Sequence, residues 1–248
     1  MARVLTRGED IRRFILKNIE KHPADIAKVV AQHFSITRQA VHKHLQKLIT
    51  DRILVESGNT RNRSYKLVLL FEKIKTYRIT SKLAEDTIWR DEIEPLILPL
   101  AKNVLSICHY GFTEMFNNAI DHSDGAQITV KIRKTAVSTE IILAHNGVGI
   151  FKKIKNEFNL LDERHAIFEL AKGKLTTDPE NHTGQGIFFT SRMFDSFDIF
   201  SGGVFYSHEF GRDQDWLIEK KYTGGTVVWM KIYNHVSRTA KEIFDQYV

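Results

Sequence analysis

The stretch Gly111-Phe112-Thr113-Glu114-Met115-Phe116-Asn117-Asn118-Ala119-Ile120-Asp121-His122 decides the fold. Wound as a helix, it sets Glu114, Asn118 and His122 at i, i+4 and i+8, so a carboxylate, an amide and an imidazole stack on one face. Such groups are unfavourable to bury without partners, so the face is expected to look into a polar cleft. His122 keeps two readings here, a group facing the cleft or an ordinary surface histidine. Cys108, a turn earlier, reads as a core residue.

Downstream, residues 126–133 and 138–144 alternate or run apolar as a strand pair. His145-Asn146-Gly147-Val148-Gly149-Ile150 then opens a helix over 151–156, and a second helix covers 162–171. A polar, turn-rich stretch with Lys174 leads to His182-Thr183-Gly184-Gln185-Gly186-Ile187 and a helix to about residue 195. Four strands close the order at 196–200, 204–210, 216–222 and 226–232, the last preceded by Gly224-Gly225. Mg²⁺ takes hard oxygen donors and keeps several waters, so one amide oxygen with triphosphate oxygens suffices as a site. A carboxylate one turn before it can orient a nucleophile. Glycine-opened helix starts offer free N–H groups and a positive dipole end to anions.

The asparagine helix, two glycine loops and a closing Gly225-Thr226 together resemble the GHKL superfamily of ATP-binding domains: gyrase, the heat-shock chaperone ATPase, MutL and histidine kinases. The Glu-Asn-His spacing looks most like the anti-sigma-factor serine kinases. The resemblance implies that Asn118 ligates magnesium and that Glu114 polarises the attacking water or hydroxyl. It implies that Gly147 and Gly149 let the backbone approach adenine, that Gly184 and Gly186 cradle phosphates, that Thr183 belongs to the nucleotide-binding set, and that Thr226 lies near the adenine edge. His122 joins the nucleotide set, and Lys174 falls in the stretch corresponding to the family's lid. One position departs: the family carries aspartate where this chain has His145, and that carboxylate accepts the adenine amino hydrogen bond. A neutral imidazole has one acceptor nitrogen for that bond and an imidazolium none, so the departure implies altered purine recognition.

The first third of the chain is a different unit. Residues 1–70 hold 14 Lys/Arg against 6 Asp/Glu, whereas the other 178 hold 22 against 24, so the chain's net +6 comes from its start. That bias implies a polyanionic partner. Helical patterns run over 10–21, from Pro23 to about 34, and over 38–51, with a Ser35-Ile36-Thr37 turn to cap the third. The third helix turns Val41, Leu45, Leu48 and Ile49 inward and Arg38, Gln39, His42, Lys43, Gln46 and Lys47 outward. Strands at 53–56 and 64–68 flank a Gly/Asn loop with Arg61 and Arg63. This order resembles a winged helix-turn-helix domain. The resemblance implies that Arg38, Gln39, His42 and Lys43 read bases of duplex DNA, and that Arg61 and Arg63 contact phosphate or the minor groove.

A length of 248 residues suits two domains of about 100–200 residues each, and 42% hydrophobic with 27% charged residues excludes disorder and fibrous chains. There is no apolar run of about 18 residues and no signal peptide. One cysteine makes no internal disulfide and no ligand cluster, which suits a cytoplasmic address. The expected fold is α+β. It comprises a winged helix-turn-helix over 1–71, a connector over 72–100, a two-layer α/β sandwich of GHKL (Bergerat) type over 101–235, and a tail over 236–248. The connector is too short and Pro-interrupted for the two-helix stem of a sensor histidine kinase. The tail's Ile243, Phe244, Tyr247 and Val248 need a partner, and some bacterial proteins of this layout continue into a small STAS-like domain, which the resemblance implies here. The expected function is a transcriptional regulator that binds DNA and uses Mg²⁺ and ATP as a switch, as a monomer or a homodimer, without a membrane. The alternative is an ATPase or serine/threonine kinase acting on a protein partner or a following domain; a scaffold with an inactive site is a third reading.

Overall fold

The computed structural model describes residues 6–59, 62–171, 185–212 and 215–247. The chain forms two compact units, one of residues 1–71 with 135–137 and one of 72–134 with 138–248. The fold is α+β.

In the first unit, α1 (Arg7–Asn18) starts at a capping box, with Thr6 and Glu9 bonding each other's backbone N–H. α2 (Ile26–Phe34) starts three residues later than the Pro23 reading. The reason is that the Pro23 carbonyl accepts the Tyr65 N–H at 2.9 Å, which holds Pro23 out of the helix and beside the hairpin. Ser35 adopts a left-handed φ of 52° and ends α2. Thr37 then caps α3 (Arg38–Thr50), its hydroxyl accepting the Ala40 N–H at 3.2 Å. β1 (Leu54–Ser57) and β2 (Ser64–Leu67) pair antiparallel from Leu54↔Leu67 to Ser57↔Ser64. Ile11, Ile15, Ile26, Val30, Val41 and Leu45 form one core with Leu54 and Tyr65 of the hairpin.

The second unit is a five-stranded sheet, order β3-β4-β5-β7-β6, with helices packed on it. β3 (Leu69–Arg78), β4 (Gln127–Thr135), β5 (Ser138–His145), β6 (Ser196–Glu209) and β7 (Trp216–Tyr233) supply the strands. The β4–β5, β5–β7 and β6–β7 pairs are antiparallel. The buried row Ile128, Val130, Ile132, Ile141, Leu143, Phe197, Ile199, Val228, Met230 and Ile232 makes one face of the sheet apolar. α6 (Lys102–His122) packs on β5, β7 and α9 (Gly186–Met193), burying Ile107, Cys108, Phe112 and Phe116. A Cβ on Gly111 would collide with the Phe194 ring, so glycine is what lets α6 come this close. α7 (Ile150–Glu157) and α8 (Glu163–Ala171) complete the layer over β6. Among the described residues, no helix is long and apolar enough to cross a membrane.

Three expectations change. Residues 72–100 are not a connector: β3 joins the sheet, and α4 (Glu85–Ile88), a π-helical turn (Trp89–Ile93) and α5 (Glu94–Ile97) bury Ile88, Trp89, Ile93 and Ile97. Glu92 fastens the two parts, accepting from Lys75 Nζ at 2.6 Å and Tyr77 Oη at 3.0 Å. The four closing strands are two long ones, because the glycine pairs sit inside them. The β6–β7 register slips at Ser201, Gly202 and Val204, a bulge permitted by the positive φ of Gly202. The apolar side chains of the tail find partners within the unit. α10 (Ala240–Tyr247) lies on α6 and α9, with Ile243 buried and Phe244 edge-on to Tyr110 and Phe189. Arg238 fixes the approach to it, donating to the Met193 carbonyl at 2.8 Å and Asp195 Oδ1 at 3.1 Å. Val248 lies outside the described residues.

Candidate functional site

Glu114, Asn118 and His122 all lie on α6, each half-buried. Glu114 reaches across to the start of α9: a Cβ on Gly186 would collide with Glu114 Oε2, so the missing side chain leaves room for the carboxylate. Gln185 is the α9 N-cap and makes no side-chain cap bond, and the Glu114 carboxylate sits beside that helix start. Two motifs far apart in sequence thus meet. Tyr110 lies one turn before Glu114; burial first, then the Glu114 charge, push the phenol pKa up. The Asn118 amide lies one turn further along α6. Lys174, Thr183 and Gly184 lie outside the described residues, as does Arg61 of the hairpin loop.

The glycine loop after β5 is built against its own chain. A Cβ on Gly147 would collide with the Ser123 carbonyl oxygen, and the Val148 N–H donates to that oxygen at 2.6 Å. Asn146 Oδ1 accepts from the backbone N–H groups of Ala126 at 3.1 Å and Gln127 at 3.3 Å. A Cβ on Gly149 would run into Ser201 Oγ. Gly147 and Gly149, expected to bring backbone close to a ligand, are therefore required by close packing within the protein. Thr226 is also engaged within the protein. It is 2% exposed, and its hydroxyl accepts the Ile150 N–H at 3.0 Å and lies 3.1 Å from Ser201 Oγ. It thereby bonds the first N–H of α7.

His145 ends β5, in register with Ile128 on one side and Thr226 on the other. Its Nδ1 accepts the Gly147 N–H at 3.3 Å. Burial lowers its pKa to about 4, so the ring is neutral at pH 7 and its proton sits on Nε2. The nitrogen turned away from the loop is thus a donor, not the acceptor that the aspartate of the resembling family supplies.

On the first unit, α3 exposes Arg38, Gln39 and Lys43, with His42 half-buried. Lys47 pairs with Asp51 at 3.3 Å. Arg63 pairs across the hairpin with Glu56 at 3.7 Å, an exposed contact worth about 0–1 kcal/mol that a phosphate can displace.

The Glu114 and Asn118 oxygens are hard donors one turn apart, a set that suits Mg²⁺ with water and phosphate oxygens in its other positions. Among the described residues, no cluster of three His, Cys, Asp or Glu side chains forms a self-sufficient metal site. The sequence reading missed Tyr110, although its i, i+4 spacing to Glu114 was visible, and Asn146 and Ser201, whose roles depend on loops that meet only in the fold. The sequence matches no protein-family model, and no curated protein matches it.

Proposed function

We propose that this protein is a DNA-binding transcriptional regulator whose second unit binds Mg–ATP as its switch. The observation that carries the nucleotide reading is the Glu114 carboxylate lying against Gly186 at the start of α9, with the Asn118 amide one turn along the same helix face. Helix N-termini favour anions, and a carboxylate–amide pair favours a hard cation, so the two chemistries meet where a metal–triphosphate has both. The order of helix, strand pair, glycine loop and second glycine helix supports the GHKL-like reading, as does the sheet order β3-β4-β5-β7-β6. When bound, magnesium would neutralise phosphate charge. Asn118 would hold it, and Glu114 would orient a water or hydroxyl.

Calorimetric titration of the whole protein with ATP, ADP and GTP, with and without magnesium, tests this. Magnesium-dependent ATP binding that Asn118→Ala removes is the expected result; no heat with any nucleotide overturns it. The Glu114 carboxylate one turn before Asn118 supports the enzymatic reading as the second choice, since a carboxylate so placed can act as a general base. γ-Phosphate release in a single turnover, lost in Glu114→Ala while binding persists, selects that reading.

The DNA reading draws on the first unit. A capped α3 exposes basic and amide side chains beside a hairpin that carries Arg63, which fits a helix entering the major groove with a wing on the backbone. Affinity for duplex DNA measured with and without Mg–ATP tests the switch; equal affinities would leave the two units uncoupled.

A further inference from the structure

We infer that the sheet face turned away from α6 is a docking surface for a protein segment that carries an arginine between apolar side chains, with Asp198 receiving the guanidinium and Trp229 stacking on it. This surface is separate from the proposed nucleotide site, which lies on the helix-covered side. Side chains alternate along a strand. Ile141, Leu143, Val228 and Met230 are buried on the side where α6 packs on β5 and β7, so Ile142, Val227 and Trp229 stand on the other. The register sets Trp229 opposite Ile142 on β5 and Asp198 on β6, and Val227 opposite Ala144 and Phe200. Val227 is 37% and Trp229 40% exposed, while Ile142, Ala144, Phe200 and Asp198 are half-buried. Two adjacent rows therefore cross three strands, a width of about 10 Å, and they are apolar except for one carboxylate. That width suits several side chains of a polypeptide, not a single small ion.

The carboxylate decides the chemistry of the occupant. Ser196 Oγ donates to Asp198 Oδ2 at 3.0 Å, and among the described residues no cation forms an ion pair with Asp198. Lys231, the next residue of β7 on this face, is drawn towards β5 instead: its Nζ lies 3.8 Å from Glu140 Oε1 and 6.0 Å from the centre of the Tyr233 ring. Burial first pushes the Asp198 pKa up, the Ser207 and Ser196 hydroxyls oppose it, and the Glu209 charge adds to the rise. A half-buried carboxylate without a cation gains most from a positive group that brings its own hydrogen bonds. A guanidinium does this while its flat face lies on the indole of Trp229 and its stem covers apolar neighbours. Nucleic acid does not fit, because its phosphates would meet the charges of Asp198 and Glu209. A second copy seated on this patch by a two-fold axis brings the same apolar rows and a second carboxylate, but not the missing cation.

The probe is a capped synthetic peptide of alternating leucine and arginine. Its control has citrulline, the neutral counterpart of the same shape, at every arginine. Affinities of fluorescein-labelled forms for the whole protein are read by anisotropy, and the place of binding by the indole N–H signals of the three tryptophans. Loss of a signal in Trp229→Phe assigns that residue. The arginine peptide is expected to shift the Trp229 signal saturably and to bind at least about tenfold more tightly than the citrulline peptide. Asp198→Asn is expected to bring the two peptides to the same affinity, and Trp229→Ala to weaken the arginine peptide about tenfold. The signal of the buried Trp89 reports whether each variant keeps its fold, and Asp198→Ser replaces Asp198→Asn if that one does not. Equal affinities for the two peptides in the wild-type protein, a preference that survives loss of the carboxylate, or an unmoved Trp229 signal overturns the proposal. So does a dimer in sedimentation whose formation shifts the Trp229 signal without peptide, which would put a second copy on this face. Nucleotide is absent throughout, so failure of ATP to bind in calorimetry counts against the proposed function alone.

Discussion

His145 carries two consequences that can be measured separately. Its folded pKa of about 4 lies below the ordinary 6.5, so the unfolded chain binds the proton more readily than the folded one. Stability is then full above pH 6.5 and falls as pH drops towards 4, by about 3 kcal/mol if the whole shift is expressed. His145→Gln, which cannot titrate, is expected to flatten that part of the curve in urea unfolding at stepped pH. The second consequence concerns the base. With Nδ1 occupied by Gly147 and Nε2 protonated, the ring offers no acceptor to an amino group, so His145→Asp is expected to tighten ATP binding in calorimetry. Glycines make a second contrast. Gly147→Ala drives a methyl into the backbone oxygen of Ser123 and is expected to destabilise by about 2 kcal/mol or more. Gly186→Ala meets only the end of the Glu114 side chain, which can swing away, so its melting temperature is expected to stay close to wild type while Mg–ATP binding weakens. Both glycines stand out in the sequence as close-approach positions. What the sequence cannot show is whether the thing approached is a ligand or a carbonyl of the same chain, and at Gly147 it is the latter.

At the scale of elements, α3 is the part of the first unit most open to test. Arg38→Ala and Lys43→Ala are each expected to weaken binding to a cognate duplex by about 1–3 kcal/mol in a fluorescence titration, with circular dichroism unchanged because both side chains are exposed. The caps and apolar spacing made α1 and α3 readable, because a helix end leaves local chemical marks such as Thr6 with Glu9 and Thr37 with Ala40. α6 was readable for the same reason of spacing. β3 was not: its positions are nearly all exposed, with Tyr77 alone buried, so it lacks the alternation of a half-buried strand, and its pairing strand β4 lies beyond α4, the π-helical turn, α5 and α6. The glycine pairs at 202–203 and 224–225 carry the composition of turns, yet the strands run through them, since a bulge and a turn ask the same freedom of the backbone.

Across the whole molecule, charge is divided as the two units are. The excess of Lys and Arg falls in residues 1–70, while the remainder is close to balance. Affinity for DNA is therefore expected to fall steeply with salt, at a slope near one for each phosphate neutralised, and Mg–ATP affinity to vary much less. A DNA affinity constant across salt would count against groove binding. The sole cysteine lies on α6, fully buried, with burial pushing its thiol up to about 12. It is inert while that helix stays packed, and a disulfide-exchange reagent reaches it only when the unit opens. The native chain thus carries its own single-site clock. The rate at which the thiol is consumed, with and without nucleotide, reports how far a ligand slows the opening of the helix that bears Glu114 and Asn118, without a label being introduced.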